Sequence, residues 1–164
     1  MGAKQAPLID MNKDIAIEPY TKDRIPDVLD FERRLREEED FWGWEIDDAY
    51  VASVTRSFED SAFARSISLL AYDGPAVVGR LDASIIASHF DGSQKAYLDW
   101  ICVIKSSRHQ GVAQQLMETL RAMLKERNIS TLIALTAAND EAQRFYQSIP
   151  HSQMRDIGIW IDIK

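Results

Sequence analysis

The densest chemistry in the sequence stands at Arg108-His109-Gln110-Gly111-Val112-Ala113. These residues follow a nearly continuous apolar run, Leu98 to Ile104, and precede a segment with helical periodicity. Where a strand runs into a helix, the first helical turn carries N–H groups without partners and the positive end of the dipole, a ready anion site. Gly111 would let the backbone approach a ligand closely, and small Ala113 would leave room beside it. A pyrophosphate suits such a cradle, and an ordinary turn with solvated polar residues accounts for the same residues equally well. Asp99 is a second candidate, because a carboxylate among apolar strand neighbours costs desolvation unless it is paired or put to use. An exposed strand end is the simple alternative. Cys102 lies mid-strand without a base near it in sequence and reads as a small buried hydrophobe rather than a nucleophile. His89, His109 and His151 are scattered, and with one cysteine they offer no metal-binding set.

The elements that would position these groups are legible from periodicity. Ile15-Ala16-Ile17 alternates into Pro19 as a first strand. Thr21 or Asp23 could cap a helix that has Pro26 in its first turn, with Val28, Leu29, Phe31 and Leu35 as its apolar stripe. The segment Phe41-Trp42-Gly43-Trp44 interrupts it, and a second helix is predicted from Asp47 to Phe58. Strands at Ser66–Tyr72 and Ala76–His89 flank an Asp73-Gly74 turn, followed by a strand from Ala96 to Ile104, apolar enough to be buried on both faces. A helix from Gly111 to Arg127 keeps a 3.6-residue period through Val112, Leu116, Leu120, Met123 and Leu124. A strand at Leu132–Leu135, a short helix at Asp140–Ser148 and a strand from Ser152 to Ile163 complete the order. This is an α+β fold of mixed α/β layers.

With 164 residues, 46% of them hydrophobic and 27% charged, the chain is expected to form one domain over 1–164, with 1–13 flexible. No apolar run reaches the roughly 18 residues of a membrane helix, and no signal core opens the sequence, so the expected setting is cytoplasmic, with no membrane partner. The net charge of −7 is concentrated between Asp27 and Asp48, where ten acids face three bases. An acidic lobe on a neutral body disfavours nucleic acid and favours cations, although a solvated helix face accounts for it as simply.

Arg108-x-x-Gly111-x-Ala113, five residues after Val103, resembles the (Arg/Gln)-x-x-Gly-x-(Gly/Ala) signature of the GCN5-related N-acetyltransferase superfamily. Downstream, Asn139-x-x-Ala142-x-x-x-Tyr146 resembles that family's Asn-x-x-Ala-x-x-x-Tyr segment, and the element order agrees from about Ile15 to Ile163. The resemblance implies a central, mostly antiparallel sheet with a splayed parallel pair, flanked by about four helices. It implies acetyl-coenzyme A as co-substrate and no metal, with the pyrophosphate on the main-chain amides of Arg108, His109, Gln110, Gly111, Val112 and Ala113. The pantetheine arm would pair with the strand edge at Ile101, Cys102 and Val103, near Asn139 and Phe145; Asn139 reads equally well as a helix N-cap. Tyr146 is implied as the general acid that protonates the departing thiolate, with a core tyrosine as the alternative, and Asp99 as base or amine anchor. The loop between the first two helices borders the acceptor site in relatives, which makes Trp42, Trp44 and Glu45 candidates for that pocket; helix packing is the other reading of both tryptophans. A small cationic amine is the expected acceptor, and a protein N-terminus or lysine, or a binding module without catalysis, are the alternatives. The Arg108–Ala113 loop and the run from Met154 to Ile163 look faintly like aminoglycoside acetyltransferases. A homodimer is the family's expectation. The sequence departs from the pattern at Pro150-His151, where relatives continue to a Gly-Phe pair.

Overall fold

Period-two alternation produces a five-stranded sheet in the order β1-β2-β3-β4-β5. The computed structural model describes residues 14–39, 45–137, 139–155, 158, 161 and 163. Its strands are β1 (Ile15–Pro19), β2 (Ile67–Asp73), β3 (Ala76–Ala87), β4 (Gln94–Val103) and β5 (Leu132–Ala134). The first four pair antiparallel, and β5 lies parallel to β4. Among the described residues four α-helices accompany them: α1 (Ile25–Glu38), α2 (Asp48–Ser57), α3 (Val112–Glu126) and α4 (Asp140–Ser148). The α+β architecture read from the sequence is the one observed. Among the described residues, no helix is long and apolar enough to cross a membrane.

The two faces of the sheet hold different chemistry because successive side chains on a strand point opposite ways. At Gly79 of β3 a Cβ would come 3.0 Å from Val112 Cγ1 and 3.2 Å from Leu116 Cδ1. The missing side chain lets α3 press its stripe of Val112, Leu116, Leu120 and Leu124 directly onto the strands. One residue on, Arg80 points to the other face and meets α1. There Arg80 Nη1 lies 3.1 Å from Glu32 Oε1 and its Nε 2.6 Å from Asp82 Oδ2. Tyr50 of α2 donates to Glu32 Oε1 at 2.6 Å, Ser68 of β2 donates to Asp82 Oδ1 at 2.7 Å, and the guanidinium sits beside the rings of Tyr20 and Trp100. Burial opposes the arginine's charge, but the carboxylates of Asp82 and Glu32 outweigh it and keep the pKa above its ordinary value.

Several expectations are corrected. α1 starts at Ile25 after a 3-10 turn at Lys22–Arg24, and neither Thr21 nor Asp23 caps it; the Thr21 hydroxyl donates to Asp23 instead. The acidic stretch is not one solvated face, since Glu32 is buried. β4 is not buried on both faces along its length: Asp99 is exposed, and Trp100 to Cys102 are half-buried. Residues 1–13, Trp42 and Trp44 lie outside the described residues, as does much of the expected strand from Ser152 to Ile163. Of that stretch, 152–155, 158, 161 and 163 are described and belong to no strand.

Replacing Arg80 by Met preserves volume but leaves Glu32 and Asp82 buried without their cation. Urea unfolding of R80M is expected to show a loss of roughly 3–5 kcal/mol, and a loss below about 1 kcal/mol would contradict the buried-pair description.

Candidate active site

β4 has two partners for only part of its length. Its parallel pairing with β5 runs through Ala96↔Leu132, Tyr97↔Ile133 and Leu98↔Ala134, and ends there. After β5 the chain is drawn to α4: Gln143 Nε2 donates to the Ala137 carbonyl at 2.9 Å and to Thr136 Oγ1 at 3.3 Å. At the same level the β3–β4 register shifts, Asp82 opposing Trp100 and Ala83 opposing Leu98. Asp99 is the extra residue of this bulge, a feature that bends a strand and re-aims a side chain. It is exposed there, so the desolvation argument made from its apolar neighbours does not apply.

Beyond the bulge, Asp99 to Val103 has β3 on one edge and no strand partner among the described residues on the other. Ile104 donates to Val78 of β3 at 3.0 Å. By alternation, the backbone groups of Ile101 and Val103 therefore face the open edge. The Val103 carbonyl on that edge accepts from Arg108 Nε at 3.1 Å.

The edge leads into a 3-10 turn at Lys105–Ser107 and then the loop before α3. Ser107 N–H and Arg108 N–H are taken by the Ile104 and Lys105 carbonyls, and hydrogen bonding resumes at Gln115, whose N–H goes to Gly111. From His109 to Gln114, no backbone N–H has an acceptor among the described residues. Six successive unpaired donors at a helix start are an arrangement that can hold an anion. Gly111 adopts φ +80°, a left-handed conformation that favours glycine, and a Cβ there would stand in open space. His109 is also left-handed, at φ +60°, and exposed.

Two acids missed as site residues in the sequence hold this loop. Glu38, the last residue of α1, accepts from Ser106 N–H at 2.8 Å and from Ser106 Oγ at 2.7 Å. The Ser106 hydroxyl and then its amide hold the Glu38 carboxyl below the usual carboxylate range. Glu39 ion-pairs with Arg108, and Glu141 of α4 lies 3.8 Å from the same guanidinium. The Arg108 side chain is thus engaged by protein groups, while the backbone after it stays open.

α4 brings the remaining candidates. Asn139 is its N-cap, Oδ1 accepting from Ala142 N–H at 2.8 Å, which is one of the two roles read from its position. Phe145 and Tyr146 pack edge to face at 5.2 Å, both half-buried against the core. Burial, followed by the neighbouring Tyr97, raises the Tyr146 pKa above 10, so the phenol stays protonated through neutral and mildly alkaline pH. Glu45 is exposed just before α2. At the departure from the family pattern, His151 takes φ +67°, so the turn keeps a left-handed residue without a glycine. Among the described residues no three His, Cys, Asp or Glu side chains gather as a metal site.

The sequence matches the model of the acetyltransferase (GNAT) family over residues 7–149. The chain belongs to this family. Among curated proteins none matches it. Of solved structures, an aminoglycoside acetyltransferase, meta-AAC0020, from an uncultured soil metagenomic sample in complex with trehalose superposes with TM-score 0.78 at 15% identity, over 94% of this chain and 100% of its own. AAC(6')-Iy in complex with a bisubstrate analog, CoA-S-monomethyl-acetylneamine, gives 0.71 at 19% identity over 92% and 99%. The ribosomal-protein-alanine N-acetyltransferase from Brucella melitensis biovar Abortus 2308 gives 0.72 at 17% identity over 92% and 97%. These likenesses establish the fold. Family membership makes the chain an acetyl-coenzyme A-dependent N-acetyltransferase.

In this acetyltransferase Cys102 is half-buried, and burial pushes its thiol up to about 11. Such a thiol is about 0.1% thiolate at pH 8, and the thiolate is the nucleophile. Its reaction with an aromatic disulfide reagent is expected to run at least about 100-fold slower in the folded protein than in the urea-unfolded chain. Equal rates would contradict that burial.

Proposed function

We propose that this acetyltransferase moves acetyl from acetyl-coenzyme A to the primary amine of a small cationic acceptor by direct attack, with Tyr146 as general acid. The observation that carries this reading is the continuity of the open β4 edge with the six unpaired amides that follow it. An edge of unpaired strand backbone suits the amides of a pantetheine arm, as an added strand suits a sheet edge. The amides from His109 to Ala113 suit the pyrophosphate. Asn139, Phe145, Ile101, Cys102 and Val103 are the residues this reading assigns to the pantetheine arm.

In the reaction the amine nitrogen forms a bond to the acyl carbon, and the carbon–sulfur bond breaks. The departing thiolate takes the Tyr146 phenolic proton, and the amine gives up a proton to a base. Asp99, exposed on the bulge beside the open edge, is the carboxylate assigned to receive it or to anchor the acceptor's charge. The preference for a small cation rests on charge: Glu37, Glu45, Asp47 and Asp48 are exposed at the end of α1 and the start of α2. Structural neighbours in complex with sisomicin and with a CoA-S-monomethyl-acetylneamine bisubstrate analog agree with that preference.

A thiol-release assay with acetyl-coenzyme A against aminoglycosides, spermidine, amino acids and short peptides tests the reading. Turnover is expected with a polycationic amine, and Y146F is expected to lower kcat by about 100-fold or more at little change in KM for acetyl-coenzyme A. The raised phenol pKa predicts that any alkaline loss of kcat from Tyr146 sets in at higher pH than an ordinary tyrosine would give. Full activity of Y146F would remove the phenol from the mechanism, and turnover with peptides alone would replace the small acceptor by a protein terminus.

A further inference from the structure

Two carboxylates beside an anion cradle need a physical explanation. By charge alone, Glu38 and Glu39 would repel a pyrophosphate bound on the amides that follow Arg108. Yet both are committed to this loop and to no other part of the sheet. Glu38 takes both donors of Ser106, the amide and the hydroxyl, and so fixes the middle of the 3-10 turn. Glu39 pairs with Arg108, whose Nε reaches back to the Val103 carbonyl at the end of β4. The turn that aims the amides from His109 onward is thus tied at two successive points to the end of α1. α1 is itself anchored six residues earlier by buried Glu32 on Arg80.

We infer that Glu38 and Glu39 are positioning residues that hold the 105–113 loop in its acetyl-coenzyme A-binding form, against their own electrostatic effect on the ligand. The inference rests on the reading of the Arg108–Ala113 loop as the pyrophosphate cradle. Charge-assisted hydrogen bonds to backbone amides are strong enough to set a loop's geometry. The clasp acts on cofactor binding and leaves Tyr146 and the chemistry untouched, so it separates KM from kcat.

The two effects have opposite signs, which makes the clasp testable. Deleting an acid beside an anion site tightens binding if charge dominates, and weakens binding if geometry dominates. Acetyl-coenzyme A is titrated calorimetrically into the full chain and into E38A, E38Q and S106A, with E118A on the exposed side of α3 as a charge-matched control. E38A is expected to raise Kd and KM for acetyl-coenzyme A about 10-fold, with kcat at saturation within about twofold of the parent. E38Q, which keeps an acceptor at the same place, is expected to recover part of the loss, and E118A to change nothing. Should E38A fail to fold, S106A removes only the hydroxyl end of the clasp and is expected to raise Kd about threefold. Unchanged or tighter binding in E38A or S106A overturns the clasp while leaving the cradle in place. Absence of acetyl-coenzyme A binding by the parent chain overturns the cradle, and the clasp with it.

Discussion

The geometry of the site depends on β4 losing its second neighbour halfway along. A strand paired on both edges offers nothing to a ligand, because its N–H and C=O groups are consumed by the ladder. Here the parallel pair stops at Leu98 and Ala134, and the bulge at Asp99 changes the strand's course at the same level. Gln143 of α4 holds Thr136 and Ala137 away from β4, so the gap is maintained by hydrogen bonds. The unpaired edge, the exposed carboxylate of Asp99, and the helix that carries Phe145 and Tyr146 all follow from that one divergence.

The second constraint is the seating of α1. On one face of the sheet α3 packs through apolar contact alone, helped by the missing side chain at Gly79. On the other face, α1 buries Val28, Phe31 and Leu35 and is also held by charge: Glu32 on Arg80 in the interior, then Glu38 and Glu39 on the loop after β4. A buried ion pair is a poor way to gain stability but a demanding one geometrically, because each group must meet its partner in one arrangement. α1 therefore transmits the position of β3 to the loop that follows β4, two elements distant in the chain.

Much of this was legible in the sequence because it is local. The strand-to-helix passage at Val103–Ala113, with Gly111 in it, and the cap at Asn139 are each written within a dozen residues. The Asp73-Gly74 hairpin followed from alternation and turn chemistry, whereas the parallel pairing of β4 and β5 was implied only by the family resemblance. What could not be read is what joins distant positions. Glu38 and Ser106 are 68 residues apart, and Glu39 and Arg108 are 69, with nothing in either segment to name its partner. The acid-rich run looked like a solvated face because its net charge averages over residues with separate tasks. Asp99 drew notice for the wrong reason: its apolar neighbours suggested burial, and the bulge turns it outward.

In the proposed complex acetyl-coenzyme A lies along one continuous path, from the open β4 edge to the amides before α3. Backbone amide NMR of the isotope-labelled chain during titration with acetyl-coenzyme A tests it residue by residue. The largest shifts are expected at His109 to Gln114 and at Ile101 and Val103, with small changes on β1 and β2. Saturable binding whose largest shifts fall away from both segments would contradict it.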